Sequence, residues 1–297
     1  MTNNLWDILC CPRCSGQTWD QKGNEAACVR CAYAAKLEGK FVSLLPEHLS
    51  QNNAREAAAF DADDAATRDY LIHKPDSHPP FMREQVFDDC AKIAHVAAQL
   101  PRDASVLFVF AGGGMEAHLS GLLGEHVVLA DISMPLLQIA SARFLYHGIP
   151  QPKAFVACDA ERLPFKNSSF DYVIGFEGIH HCLIPQAALN EIWRVSRRRA
   201  LVVDNYECAL TRLMFRMGKS SRVEDSGVKP NRFTLNSLQT MMCNAGIKSY
   251  KFSARTSIPP SIQRYGYWLP KILTRILDTI GQQNMFMLIT EKDVRTP

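Results

Sequence analysis

The chain contains no run of apolar residues approaching the roughly 18 that a membrane-spanning helix requires, so no transmembrane segment is expected. Its opening, Met1-Thr2-Asn3-Asn4, lacks the basic and apolar stretches of a secretory signal, and a cytoplasmic location is expected from that. Charge of one sign is also scarce: 33 Lys and Arg against 30 Asp and Glu leave a net of +3 over 297 residues. So small an excess excludes the sequence-wide basic surface with which proteins cling non-specifically to nucleic acid. The remaining balance, 47% hydrophobic and 21% charged, is that of a globular protein able to bury a core. The length accommodates one large α/β domain with a small appended module.

Cysteine is plentiful but uneven. Cys10, Cys11, Cys14, Cys28 and Cys31 fall in the first 31 residues, whereas Cys90, Cys158, Cys182, Cys208 and Cys243 are scattered singly. Single cysteines in apolar surroundings behave as small, reduced hydrophobes. The N-terminal group contains two CxxC knuckles, Cys11-Pro12-Arg13-Cys14 and Cys28-Val29-Arg30-Cys31. Each knuckle turns two thiolates toward one point, and the pair completes a tetrahedral four-sulfur site for zinc. Four cysteine ligands leave no open coordination position, so the implied zinc is structural. It supplies stability that a module of about 45 residues cannot draw from a core of its own. Disulfide pairing is the alternative, disfavoured in a reducing compartment. Cys10 is a neighbour outside the ligand set. Residues 1–45 carry five basic and four acidic side chains, which offers phosphate little.

Residues 46–100 are Ala-rich and mixed in charge, and read as a linker or lid between the module at 1–45 and a domain at 101–297. One helix is expected over 54–70, broken by Lys74-Pro75-Asp76-Ser77-His78-Pro79-Pro80. A second is expected over 81–100, with Val86, Phe87, Cys90, Ile93, Ala94 and Ala97 at helical spacing. From Ser105 the pattern alternates strand and helix: strands at 106–110, 127–130, 154–157, 172–176 and 200–203, helices at 116–123, 135–146 and 185–195. Such alternation implies a parallel sheet with helices on both faces. Ligands in these sheets bind beyond the carboxyl ends of the strands, where the strand order reverses.

Three elements stand at those ends. Gly112-Gly113-Gly114 follows the first strand, and a turn without Cβ atoms takes positive φ and lets backbone approach a ligand. Asp131 ends the second strand, where a carboxylate can accept from both hydroxyls of a ribose. Its other reading is a helix N-cap, a role also open to Ser133 ahead of Pro135. Asp159 opens the run Asp159-Ala160-Glu161-Arg162-Leu163-Pro164-Phe165, and Phe170-Asp171 then starts an apolar strand.

In this order and spacing the elements resemble the cofactor side of class I S-adenosylmethionine (SAM) methyltransferases, in the type 11 branch that includes quinone-biosynthesis, natural-product and RNA enzymes. The resemblance covers residues 100–297. It implies an α/β fold with a Rossmann-like seven-stranded methyltransferase sheet and helices on both faces, beside the small N-terminal zinc ribbon. It further implies SAM held at Gly112, Gly113, Gly114, Asp131, Ile132, Asp159, Ala160 and Glu177, with Asp159 accepting from the adenine amino group. Two positions depart from the family pattern: Phe108 stands in place of a first-strand acid, and Phe110 in place of the first glycine of the loop. A phenylalanine there narrows the methionine end of the pocket. In the ribbon, Leu5-Trp6-Asp7-Ile8-Leu9 and Gly39-Lys40-Phe41-Val42-Ser43-Leu44-Leu45-Pro46 resemble small zinc ribbons that activate tRNA and protein methyltransferases. The second stretch also resembles the zinc module of bacterial rRNA guanine-N1 methyltransferases, whose second ligand pair usually includes a histidine where this chain has Cys28 and Cys31.

After the fourth strand comes Glu177-Gly178-Ile179-His180-His181-Cys182. Methyl transfer is an in-line displacement governed by positioning, and an acceptor that holds a proton benefits from a base. His180 and His181 are therefore the catalytic candidates, one as base and the other as a packed imidazole. Residues 194–232 hold ten Lys and Arg against four Asp and Glu, with Ser196-Arg197-Arg198-Arg199 where the family has a Gly-rich turn. A solvated face, a phosphate-bearing acceptor and an anionic membrane surface are all open readings of that cluster. Two apolar stripes, one at Leu210, Leu213, Met214 and Met217 and one running from Trp268 to Ile280, are expected to face inward and cap a substrate pocket. They are expected to be placed between late strands, at 247–252 and 285–290. The leading expectation is a methyltransferase acting on a small or lipid-like acceptor. Methylation of rRNA or tRNA is the alternative, and a catalytically silent binding module, from Phe108 and Phe110, is the third.

Overall fold

In the computed structural model, which describes residues 5–58, 64–218, 229–258, 262 and 266–292, the chain opens with a single helical turn at Leu5–Asp7. Four short strands follow: β1 (Trp19–Lys22), β2 (Glu25–Cys28), β3 (Ala34–Glu38) and β4 (Phe41–Ser43). Next come α1 (Gln51–Ala58), α2 (Ala65–His73) and α3 (Pro80–Ala97). The single helix expected over 54–70 is not formed as one piece. Asp64 caps α2 by accepting from the Thr67 N–H at 3.0 Å, and residues 59–63 lie outside the described set.

The remaining elements alternate: β5 (Val106–Val109), α4 (Met115–Ser120), β6 (Val127–Asp131), α5 (Met134–Tyr146), β7 (Ala154–Ala157), β8 (Phe170–Phe176), α6 (Pro185–Val195) and β9 (Ser196–Asn205). They end with α7 (Ala209–Arg216), α8 (Leu235–Asn244), β10 (Tyr250–Arg255), α9 (Trp268–Thr279) and β11 (Met285–Glu291). The short all-apolar runs become strands because they are buried on both sides, with successive side chains feeding opposite cores. Leu107 and Val109 of β5 pack with Ala188, Ile192 and Val195 of α6 and with Met242 of α8. Val106 and Phe108 pack on the other face with Ile93 of α3 and with Leu137, Ala140 and Phe144 of α5.

The sheet runs β1-β2-β3-β4-β7-β6-β5-β8-β9-β11-β10, with β7 through β9 parallel and β11 antiparallel to both neighbours. The seven expected strands are its β7-to-β10 portion, but the described residues form eleven. β7 would be an edge of unpaired N–H and C=O groups, and β4 closes it in parallel, placing Phe41 opposite Phe155 and Ser43 opposite Ala157. The Leu44 N–H donates to the Ala157 carbonyl at 2.8 Å, and the Phe155 N–H donates to that of Lys40 at 2.8 Å. A second seam joins the Cys10 N–H to the Pro164 carbonyl (2.8 Å) and the Lys166 N–H to the Ile8 carbonyl (2.9 Å). Trp6, Leu9 and Trp19 thereby share one core with Leu163 and Phe165.

Two expectations about surfaces change. The basic run at 196–199 begins strand β9 instead of a turn, and its cations have internal partners: Arg197 and Arg198 each reach Asp171 at 3.1 Å, and Arg199 reaches Glu291 at 2.9 Å. Lys219, Arg222, Glu224 and Asp225 lie outside the described residues. Much of the apolar stripes of α7 and α9 faces solvent: Leu213, Met217, Trp268, Ile272, Ile276 and Ile280 are exposed, whereas Leu210, Met214 and Leu273 are half-buried. Polar anchors set the rotation of α9: Lys271 pairs with Glu84 at 3.0 Å, and Asp278 accepts from the Thr256 hydroxyl at 2.6 Å. Those residues occupy the inward side, which turns Trp268, Ile272 and Ile276 outward.

Candidate functional site

The strand order reverses between β5 and β8, and a cleft of about 810 Å³, part of it open to solvent, lies beyond their carboxyl ends. Of the sequence-derived cofactor residues, Gly112, Asp131, Ile132, Asp159, Ala160 and Glu177 line it, whereas Gly113 and Gly114 do not. Gly114 serves packing: its φ is +72°, and a Cβ there would stand 2.9 Å from the Phe144 ring and 3.0 Å from Ala140 on α5. A Cβ on Gly113 would meet Leu71 of α2 at 3.6 Å. Gly112 has open space on its Cβ side, and its N–H donates to Asp131 Oδ2 at 2.8 Å.

Asp131 accepts the Ser133 N–H on its other oxygen at 2.9 Å, while Ser133 caps α5 through the Leu136 N–H at 3.4 Å. The N-cap role therefore belongs to Ser133. Burial pushes the Asp131 pKa up against the pull of the Ser133 and Gly112 N–H groups. Asp159 caps the turn Ala160–Arg162 through the Glu161 N–H at 2.9 Å and accepts from Asn53 Nδ2 at 3.0 Å. A carboxylate offers about four lone-pair directions, so each acid retains acceptor capacity toward the cleft.

Phe110 and Glu177 directly follow β5 and β8, with left-handed φ of +60° and +46°. Such a conformation costs a non-glycine residue roughly 1–2 kcal/mol and collects at functional sites. The Phe110 ring is accommodated by Gly178, where a Cβ would lie 2.0 Å from the ring Cγ. The glycine absent from the loop thus reappears across the cleft at 178, and the cavity stays open. Burial also raises the Glu177 pKa.

The two histidines separate. His180 is buried, with Nδ1 2.6 Å from Asp204 Oδ1 and its N–H donating to Asp204 Oδ2 at 3.2 Å. Its carbonyl accepts the Asn231 N–H at 2.7 Å. His181 lines the cleft, with Nδ1 3.2 Å from Glu56 Oε1 and its ring 4.0 Å from that of His180. Asn53, Glu56, Asp204, Asn231 and Gly178 were not found from the sequence. Asn53 and Glu56 stand one helical turn apart on α1, but that spacing alone marks no ligand.

At the other end of the molecule the sulfur atoms of Cys11, Cys14, Cys28 and Cys31 lie within 4.8 Å of one another. Two near-identical knuckles hold them. The Ser15 N–H donates to Cys11 O and the Ala32 N–H to Cys28 O, both at 2.8 Å, and Ser15 and Ala32 both have positive φ. A Cβ on Gly16 would press on Cys28 Sγ at 3.0 Å, which explains the glycine. The Cys11–Cys31 and Cys14–Cys28 sulfur pairs are 3.5 Å apart, far beyond a disulfide's roughly 2.05 Å. They are close to the ~3.8 Å edge of a tetrahedron with metal–sulfur bonds of about 2.3 Å, so the donor set fits zinc. Cys10 is buried outside the cluster.

The strand order, the switch-point cleft and the acids at the ends of β6 and β7 together define the fold of class I methyltransferases. Residues 109–203 match the family model described as a methyltransferase domain. The ubiquinone/menaquinone biosynthesis C-methyltransferase UbiE of Coxiella burnetii is 38% identical over 94 residues, 31% of this chain and 37% of that protein. Its namesake from Pseudomonas fluorescens is 31% identical over 163 residues, 48% of this chain and 62% of that protein. The chain therefore spans less than two thirds of the length of either curated relative. Among solved structures, magnesium protoporphyrin IX methyltransferase from Synechocystis with bound SAH has a TM-score of 0.55 at 13% identity, covering 82% of this chain and 100% of that one, a likeness of fold.

Proposed function

We propose that the chain is a SAM-dependent methyltransferase acting on a small, largely apolar acceptor, with ring acceptors of the quinone-precursor class first among those to test. The observation that carries this reading is one cleft with Asp131 and Asp159 at one end and His181, beside Glu56, on its wall. The residues fit the cofactor: Asp131 would take the ribose hydroxyls, Asp159 the adenine amino group, and Gly112 with Ile132 and Ala160 the flanking contacts. SAM supplies a methyl carbon on a sulfonium sulfur, open to in-line attack. Val109, Phe110, Leu136 and Leu163 make the cleft apolar and exclude water from the reacting atoms. With Glu56 beside Nδ1, His181 Nε2 is the atom that would take the acceptor's proton, and the carboxylate would steady the resulting imidazolium. His180, clamped by Asp204, is a positioning residue. The four ribbon cysteines would hold one structural zinc, with residues 1–45 as its module, 46–100 as the segment that brings α1 over the cleft, and 101–297 as the catalytic domain.

Radiolabelled SAM offered with isoprenoid hydroquinones, catechols and bulk tRNA tests the reading. Label is expected in the organic-soluble product, and His181→Ala should lower kcat by about 10²–10⁴-fold without changing affinity for S-adenosylhomocysteine (SAH). Label appearing in RNA alone, or a His181→Ala variant with full turnover, would contradict it.

A further inference from the structure

Among the described residues, helices α7 and α9 leave an apolar surface uncovered. Trp268 is 71% exposed, and Leu213, Met217, Ile272, Ile276 and Ile280 are each at least half exposed. The side chains at 268, 272, 276 and 280 recur every four residues along one face of α9, so the exposure is a continuous stripe and not scattered single residues. The start of α7 meets the turn that follows α9, where the Leu210 N–H donates to Gln282 Oε1 at 2.8 Å. Exposed cations border the stripe: Arg216 on α7 and Arg275 on α9, together with Arg212, which also reaches Glu207 at 3.5 Å. No exposed acid stands on either helix, because α7 has none and Asp278 of α9 is turned to Thr256.

We propose that this face docks on an anionic lipid surface, with the stripe in the acyl boundary and the arginines at the headgroups. Apolar side chains flanked by arginine on an amphipathic helix have the composition of an interfacial helix. A second copy of the chain is the competing occupant. An isologous contact, however, would set this patch against its own copy and bring Arg216 and Arg275 of both chains into one interface with no exposed acid of either helix to meet them. Anionic headgroups complement those charges, each cation near such a surface strengthening binding several-fold. Asp204, which holds His180, stands near the end of β9, and the chain runs from β9 through residues 206–208 into α7. The docking does not depend on the acceptor's chemistry.

The test is co-sedimentation of the full chain with vesicles of phosphatidylcholine alone and of phosphatidylcholine with phosphatidylglycerol in equal parts, at low and high salt. Binding to the mixed vesicles is expected, weaker at high salt and weaker still on phosphatidylcholine. Ile272→Ser with Ile276→Ser should weaken partition at least about tenfold, with melting temperature and SAH affinity unchanged. Arg216→Gln with Arg275→Gln should weaken it several-fold and flatten its salt dependence. Failure to bind either vesicle overturns the proposal, as does binding indifferent to the isoleucine pair. So does self-association in ultracentrifugation that the isoleucine pair abolishes in a chain indifferent to vesicles, which would assign the face to a second copy.

Discussion

Gly178→Ala should be among the most damaging single-methyl additions in the cleft, and Phe110→Gly should remove its cost. The added Cβ would stand 2.0 Å from Phe110 Cγ and 2.4 Å from Phe110 Cβ. Because Phe110 Cβ is itself in the clash, a new rotamer cannot relieve it, and the end of β5 or β8 must move. Gly178 has φ of −143°, which does not require glycine, so contact alone is responsible. Overpacking of this kind costs about 1–3 kcal/mol. Phe110→Gly alone relieves left-handed strain of roughly 1–2 kcal/mol but gives up the packing of a partly buried ring, about 1.5–3 kcal/mol, and adds a chain-entropy cost of about 0.5–1 kcal/mol, so it is itself destabilising. In that background Gly178→Ala should be nearly neutral, giving a coupling of about 1–3 kcal/mol by urea denaturation of the four proteins. Equal costs of Gly178→Ala with and without Phe110 would refute the reasoning.

Metal analysis of the freshly reduced chain should find one zinc, and Cys11→Ser or Cys28→Ser should release it with loss of stability; a metal-free chain as stable as the loaded one would contradict this. Burial pushes the Glu116 pKa up to about 7, with the nearby Glu177 carboxylate adding to it. The native state then keeps a proton that the unfolded chain releases from the ordinary carboxylate range upward, so this group's contribution to stability falls as pH rises toward 7. Glu116→Gln should therefore gain on the parent by at most roughly 3 kcal/mol between about pH 5 and pH 8, and parallel stability profiles would count against it.

The parallel sheet was legible because its strands are short apolar runs buried on both faces, as Val106 to Val109 illustrate. The joining of β4 to β7 was not, since it depends on residues 41–43 meeting 155–157, and no local pattern encodes that register. That Asp131 would line the cleft was legible because a strand-end residue at a switch point borders the crevice. Gly114 looked like its neighbour Gly112, but only the packed structure shows that its missing Cβ makes room for α5. The histidine pair could be found but not sorted, because Asp204, which buries and holds His180, lies 24 residues away. Amphipathic spacing identified the stripe on α9 but could not say which way it points. The anchors at Glu84 and Thr256 decide that.

Calorimetric titration with SAH tests the central claim most directly. The parent should bind one SAH per chain, and Asp131→Ala should weaken that binding by about 1–3 kcal/mol, roughly 5- to 150-fold, because buried ribose hydroxyls lose their acceptor. Absence of binding in the parent, or undiminished affinity in both Asp131→Ala and Asp159→Ala, would contradict a cofactor site at the ends of β6 and β7.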